Sequence, residues 1–157
     1  MANTITGIAW PPIRGGYAAS LLSLVSDLRD SEKMNQDELA SNQERQLRML
    51  IEHHAAHTPG FAKRLEKQGL TTSDISTLAG LSLLEPINKQ YIQQQGEQFT
   101  CTKIPDDHQP CGKVNTSGST GEPINLMRTA PGQLMWEALA IRDHQWNNRE
   151  YHHRLFA

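Results

Sequence analysis

The sequence predicts an α/β fold class: a helix-rich part, then a strand–loop–strand hairpin near residues 114–128. Three observations support this. Apolar residues recur at helical spacing through most of the first hundred positions. The texture then turns to proline- and glycine-rich connections. Finally, two short strand candidates flank a loop made of Gly, Ser and Thr.

Residues 1–19 contain Pro11, Pro12, Gly15 and Gly16 and read as an irregular lead-in. Ser20 suits the cap of a short helix, with Leu21, Leu24, Val25 and Leu28 at i, i+3, i+4, i+7. Asn35 with Glu38 three residues later resembles a capping box, opening a helix of roughly 20 residues. Leu47, Leu50, Ile51 and His54 share one face of that helix. Thr58-Pro59-Gly60 ends it, because proline lacks the amide hydrogen and disfavours helix in the residue before it.

A shorter helix carries Phe61 and Leu65 and closes at Gly69. Ser73 suits the cap of a further turn, with Ile75, Leu78 and Leu81 facing inward. Pro86 and Asn88 mark another start, with Tyr91 and Ile92 apolar and Gln93–Gln95 exposed. Residues 105–113 form a turn-rich connection. Val114–Thr116 and Ile124–Arg128 are the strand candidates. Thr129 and Pro131 then suit the cap and first turn of a long helix, with Leu134, Met135, Ala138, Leu139, Ile141 and Trp146 as its stripe.

Composition excludes several function classes. A net charge of −2 gives neither a basic stripe nor a polybasic tail, so nucleic acid and membrane surfaces are not the expected partners. Arg45, Arg48, Lys63, Arg64 and Lys67 alternate with Glu44, Glu52 and Glu66, which reads as a solvated helix surface. No apolar stretch approaches the roughly 20 residues a bilayer span needs. The start shows no signal-peptide pattern, so a cytoplasmic location is expected and the Asn115-Thr116-Ser117 sequon is idle.

The loop is the chemically distinctive segment. Anions bind where backbone amides converge, and such convergence needs unusual backbone angles. Gly118 and Gly121 can adopt them without a side chain in the way. Thr116, Ser117, Ser119 and Thr120 add hydroxyl donors, and Pro123 fixes the exit. A lysine-bearing P-loop is excluded, because Glu122 follows Gly121; the order is also not the dinucleotide GxGxxG. As composition alone, the segment is equally a plain Gly/Ser/Thr turn. The loop has no positive charge of its own, so phosphate needs neutralising by a metal ion, by basic groups elsewhere, or by residues absent from this chain.

Thr116-Ser117-Gly118-Ser119-Thr120-Gly121-Glu122-Pro123 resembles the phosphate-binding signature T-S-G-[ST]-T-G-x-P of the adenylate-forming (AMP-binding) enzymes. Its fixed positions match by chance in roughly one chain of this length in a hundred thousand. Arg45-Gln46-Leu47, Leu50-Ile51-Glu52-His53 and Pro59-Gly60-Phe61 are similar to the N-terminal helical region of the phenylacetate–CoA ligase-like branch. "LEPINKQYIQ" before the loop and "IRDHQWNNRE" after it resemble further steps of that branch. The resemblance spans about residues 10–157, and only the loop is highly specific. Departures are Ile124, where many relatives carry lysine, and Gly60, where the branch has phenylalanine.

The resemblance implies that residues 20–157 are the N-terminal portion of an AMP-binding domain. Thr116, Ser117, Gly118, Ser119, Thr120 and Gly121 would then close over the β- and γ-phosphates of ATP while a carboxylate attacks the α-phosphate. It implies ATP and Mg2+ as cofactors, a carboxylic acid as substrate and coenzyme A as acyl acceptor. The family's adenine-binding segment, ribose-binding aspartate, hinge and catalytic lysine lie downstream of what is seen here, so these 157 residues alone are expected to lack complete catalysis. The alternative is a non-catalytic helical interaction module, or a truncated gene product, with a relic loop.

Other reactive residues carry bland expectations. His53, His54, His57, His152 and His153 read as solvated or core-edge histidines; the i, i+4 pair His53 and His57 lacks a metalloprotease context. Asp106-Asp107-His108 reads as a turn. Trp136 and Trp146 read as core or rim packing. Cys101 and Cys111 have neither metal spacing nor a basic partner nearby in sequence, so no nucleophilic role is expected of them.

Overall fold

The computed structural model describes residues 16–115 and 123–149. Among them the fold is helix-rich, with a two-stranded antiparallel sheet. No helix among the described residues is long and apolar enough to cross a membrane. The chain divides into two compact units, one holding α1 (Gly16–Ser31) and α5 (Ala130–Trp146), the other Asn35–Thr129.

In the first unit, α1 and α5 pack together along narrow stripes. Val25 is buried, and Leu21, Leu24 and Leu28 are half-buried on the same face, as their spacing predicts. Ala138 of α5 is fully buried; so small a residue allows close helix approach. Side-chain contacts pin both ends. The Tyr17 hydroxyl bonds to Glu137, and lost solvation followed by this carboxylate raises its pKa. The Trp146 indole N–H donates to Glu32 Oε1 at 2.8 Å, with the Arg142 guanidinium 4.5 Å from the indole centroid.

Three details of this unit depart from expectation. The first helix starts at Gly16, so Tyr17–Ala19 of the expected lead-in are helical. Ser20 is no cap: its hydroxyl donates back to the Gly16 carbonyl at 3.4 Å. On α5, Met135, Leu139 and Trp146 of the expected stripe are exposed. Leu134, Ala138 and Ile141 of that stripe do face inward, joined by Arg142 and Gln145. One partner helix covers only a narrow strip of α5, so apolar residues on its flanks stay wet.

The second unit begins with α2 (Gln36–His57), opened by the expected box. Asn35 Oδ1 accepts from Glu38 N at 2.9 Å, and Glu38 Oε2 accepts from Asn35 N at 3.2 Å. Thr58 turns the chain sharply into α3 (Pro59–Gln68). Its N–H donates to the His54 carbonyl, while its own carbonyl accepts from Phe61 and Ala62. Gly60 is buried because the 96–99 segment crosses there: a Cβ would lie 2.9 Å from the Gln98 carbonyl oxygen. α3 ends at Gly69, whose φ of 64° is open to glycine, and Leu70 N–H reaches back to the Leu65 carbonyl at 2.9 Å.

The core of this unit is Ile51, Leu65 and Ile75, with Leu47, Ala55, Phe61, Leu70 and Leu84 against it. Residues 70–79 form consecutive turns and no helix. Their start is held by Thr71 and Asp74, whose carboxylate accepts from the Thr71 amide and hydroxyl, and not by Ser73. Those bonds also hold the Asp74 carboxyl below its ordinary pKa. Of the three residues expected inside, only Ile75 is buried, at 0% exposure; Leu78 and Leu81 keep 44% and 40%. Without a continuing helix, an i, i+3, i+6 set no longer shares a face. Leu50 of α2 is likewise exposed, and the inner face runs through Leu47, Ile51 and His54.

Three polar ties fasten this segment. Glu44 Oε1 accepts from Leu78 N, Gln68 Oε1 accepts from Glu85 N, and the Arg64 guanidinium donates to the Glu85 carbonyl. α4 (Lys89–Gln95) is capped by Asn88 as expected, and Tyr91 packs edge-on against Phe99. Asp106–His108 is a single 3-10 turn, and a cis Gln109–Pro110 bond leads into the sheet.

Candidate functional site

Strands β1 (Cys111–Asn115) and β2 (Asn125–Thr129) pair antiparallel in the register Cys111↔Thr129 through Asn115↔Asn125. The expected hairpin is present, with shifted edges. β1 begins three residues before Val114 and β2 runs on to Thr129, because main-chain pairing carries Gly112 and Lys113 into the ladder. Side-chain propensity is blind to that.

The last pair, Asn115↔Asn125, closes the glycine loop. Thr116, Ser117, Gly118, Ser119, Thr120 and Gly121, the residues expected to hold phosphate, lie outside the described residues. What is described is the frame that presents them. Pro123 is exposed and Ile124 half-buried at the return.

The register also identifies a residue that sequence reasoning missed. Paired residues share a face of the sheet, and alternate residues along a strand share it too. Lys113 therefore lies on the face of Asn115 and Asn125, two residues before the loop, and is exposed. Its period-2 relation to Asn115 was the available signal, but a strand started at Val114 leaves it out.

In sequence, residues 113–125 hold two glycines, four hydroxyl residues, two carboxamides and one lysine. Among the described residues no group of His, Cys, Asp or Glu makes a metal site.

A second cluster lies at the C-terminal end of α2. His53, His54 and His57 are half-buried there, at the edge of the core as expected; His152 and His153 lie outside the described residues. His54 Nδ1 is 2.8 Å from the buried Thr58 hydroxyl. Burial, then the neighbouring His53, hold its pKa below the ordinary value. The His53 and His57 rings are 4.9 Å apart.

Cys101 has no basic partner nearby in sequence, but the fold brings one to it from a distance. His53 Nε2 lies 3.3 Å from its sulfur. The approach is tertiary: Thr102 donates from its amide and its hydroxyl to the His57 carbonyl, at 2.8 and 3.0 Å, and so clips the segment to α2. No local sequence signal could reveal a pair 48 residues apart.

No family model matches this chain, and a comparison with curated proteins finds no match.

Proposed function

We propose that this chain carries the ATP-phosphate grip of an adenylate-forming ligase similar to the phenylacetate–CoA ligases. Such an enzyme activates a carboxylic acid for transfer to a thiol such as coenzyme A. The observation that carries this reading is the residue order Thr116–Pro123, used as the connection of an antiparallel hairpin.

The division of labour follows from the chemistry of each group. Amides at Gly118 and Gly121 approach phosphate oxygens closely, and the hydroxyls of Thr116, Ser117, Ser119 and Thr120 follow them. Lys113 adds a charge that the loop itself lacks. Bound Mg2+ supplies the remaining neutralisation of the triphosphate. When a carboxylate oxygen attacks the α-phosphorus, pyrophosphate leaves with the electron pair of the broken bond. Holding the β- and γ-phosphates fixes that leaving group and stabilises the charge it gains. A cytoplasmic location belongs to the same reading.

Calorimetric titration with Mg–ATP tests it. Gly121→Val introduces a β-branched side chain where an amide must meet phosphate, and should weaken binding by about tenfold or more, roughly 1.4 kcal/mol. Circular dichroism of the variant checks that the helical fold is retained. Equal affinity in the two proteins contradicts the proposal.

A further inference from the structure

We propose that Cys101 and His53 form a thiol–imidazole pair that reacts with hydroperoxides, making Cys101 an oxidation site. The inference is independent of the nucleotide reading and rests on geometry at the end of α2.

The sulfur has two polar neighbours, His53 Nε2 at 3.3 Å and the Lys103 carbonyl oxygen at 3.2 Å. The imidazole can take the thiol proton; the carbonyl can only accept a hydrogen bond from it. Both partners are held in place. The two Thr102 bonds to the His57 carbonyl fix the residue next to Cys101. His53 sits on the last turns of α2 and packs against the His57 and His54 rings. Cys101 is half-buried, so a small oxidant reaches the sulfur.

Two alternative roles fit less well. A metal site needs further ligands, and among the described residues no third His, Cys, Asp or Glu completes a set. A purely structural thiol is typically buried in apolar surroundings, whereas this one faces an imidazole. Cys111 is an internal control: its sulfur faces the His108 carbonyl oxygen at 3.8 Å and is half-buried to a similar degree.

The step balances as follows. The Sγ–H proton passes to His53 Nε2, and a sulfur lone pair attacks the terminal oxygen of the hydroperoxide. An S–O bond forms as the O–O bond breaks. The leaving oxygen departs with the bond's electron pair and takes a proton from the imidazolium. Sulfur is oxidised to a sulfenic acid, and the hydroperoxide is reduced to water or an alcohol. A small thiol can reverse the change.

The test exposes the native protein to hydrogen peroxide with dimedone present and measures the adduct at each cysteine by peptide mass spectrometry. Cys101 should be trapped at least roughly tenfold faster than Cys111, because only Cys101 has an imidazole beside its sulfur to receive the proton. In denaturant the two rates should converge, which ties the difference to the fold without relying on a variant. His53→Gln should bring Cys101 to within about twofold of Cys111. Equal rates in the native protein overturn the proposal. So does a rate difference that persists in denaturant, or one that persists in a His53→Gln protein with native circular dichroism.

Discussion

Replacing Ile75 by alanine removes three carbons from a side chain with 0% exposure, packed in the cluster with Ile51 and Leu65. At about 0.8 kcal/mol per buried methylene, the transfer contribution alone is about 2.4 kcal/mol. The residual cavity adds to this, since Leu47 and Ala55 are anchored on α2 and Phe61 on α3, and they collapse only in part. The expected loss is about 3–4 kcal/mol. For a unit of 60–100 residues, that lowers the midpoint of thermal unfolding by roughly 15–25 °C. Leu78→Ala and Leu81→Ala remove as many carbons, but from residues 44% and 40% exposed. Each should cost only about 1 kcal/mol, because less surface is buried and no cavity is enclosed. Urea unfolding of the three variants, followed by circular dichroism, separates the cases. Equal losses would mean that residues 70–84 do pack as an amphipathic helix, and the core described above would be wrong.

Gly60→Ala should destabilise the protein by about 1–2 kcal/mol in the same assay. Overpacking against the Gln98 carbonyl outweighs the smaller gain from restricting the unfolded chain. His54 predicts a pH dependence. Its folded pKa lies below the ordinary 6.5, so the unfolded chain takes up the proton first as pH falls. The stability it contributes is complete above 6.5 and declines below it, until the folded imidazole also protonates. A stability-against-pH series for His54→Gln should lose that part of the slope. A wild-type slope retained by the variant would refute the assignment.

Local signals were legible in the sequence, and tertiary ones were not. The Asn35–Glu38 box, the Thr58-Pro59-Gly60 break, the Gly69 cap and the Asn88 cap each depend on a few neighbouring residues, and all four are present. Apolar spacing located α1, α2 and α5, but not which residues flanking each stripe are covered. Leu50, Met135 and Leu139 stay exposed because coverage depends on what packs opposite. The turn at 70–79 defeated the helical pattern, since Thr71 and Asp74 bond to each other in place of the Ser73 cap. The hairpin was found, but the rung positions that give Lys113 its face required the register. The Cys101–His53 pair required the whole fold.

Amide hydrogen exchange across residues 114–123, with and without Mg–ATP, tests the central claim most directly. If the hairpin connection grips phosphate, the Gly118 and Gly121 amides should exchange markedly more slowly with ATP bound. AMP should protect them less, since it lacks the β- and γ-phosphates. Protection elsewhere should change little. Identical exchange at these amides in the presence and absence of Mg–ATP would contradict the account.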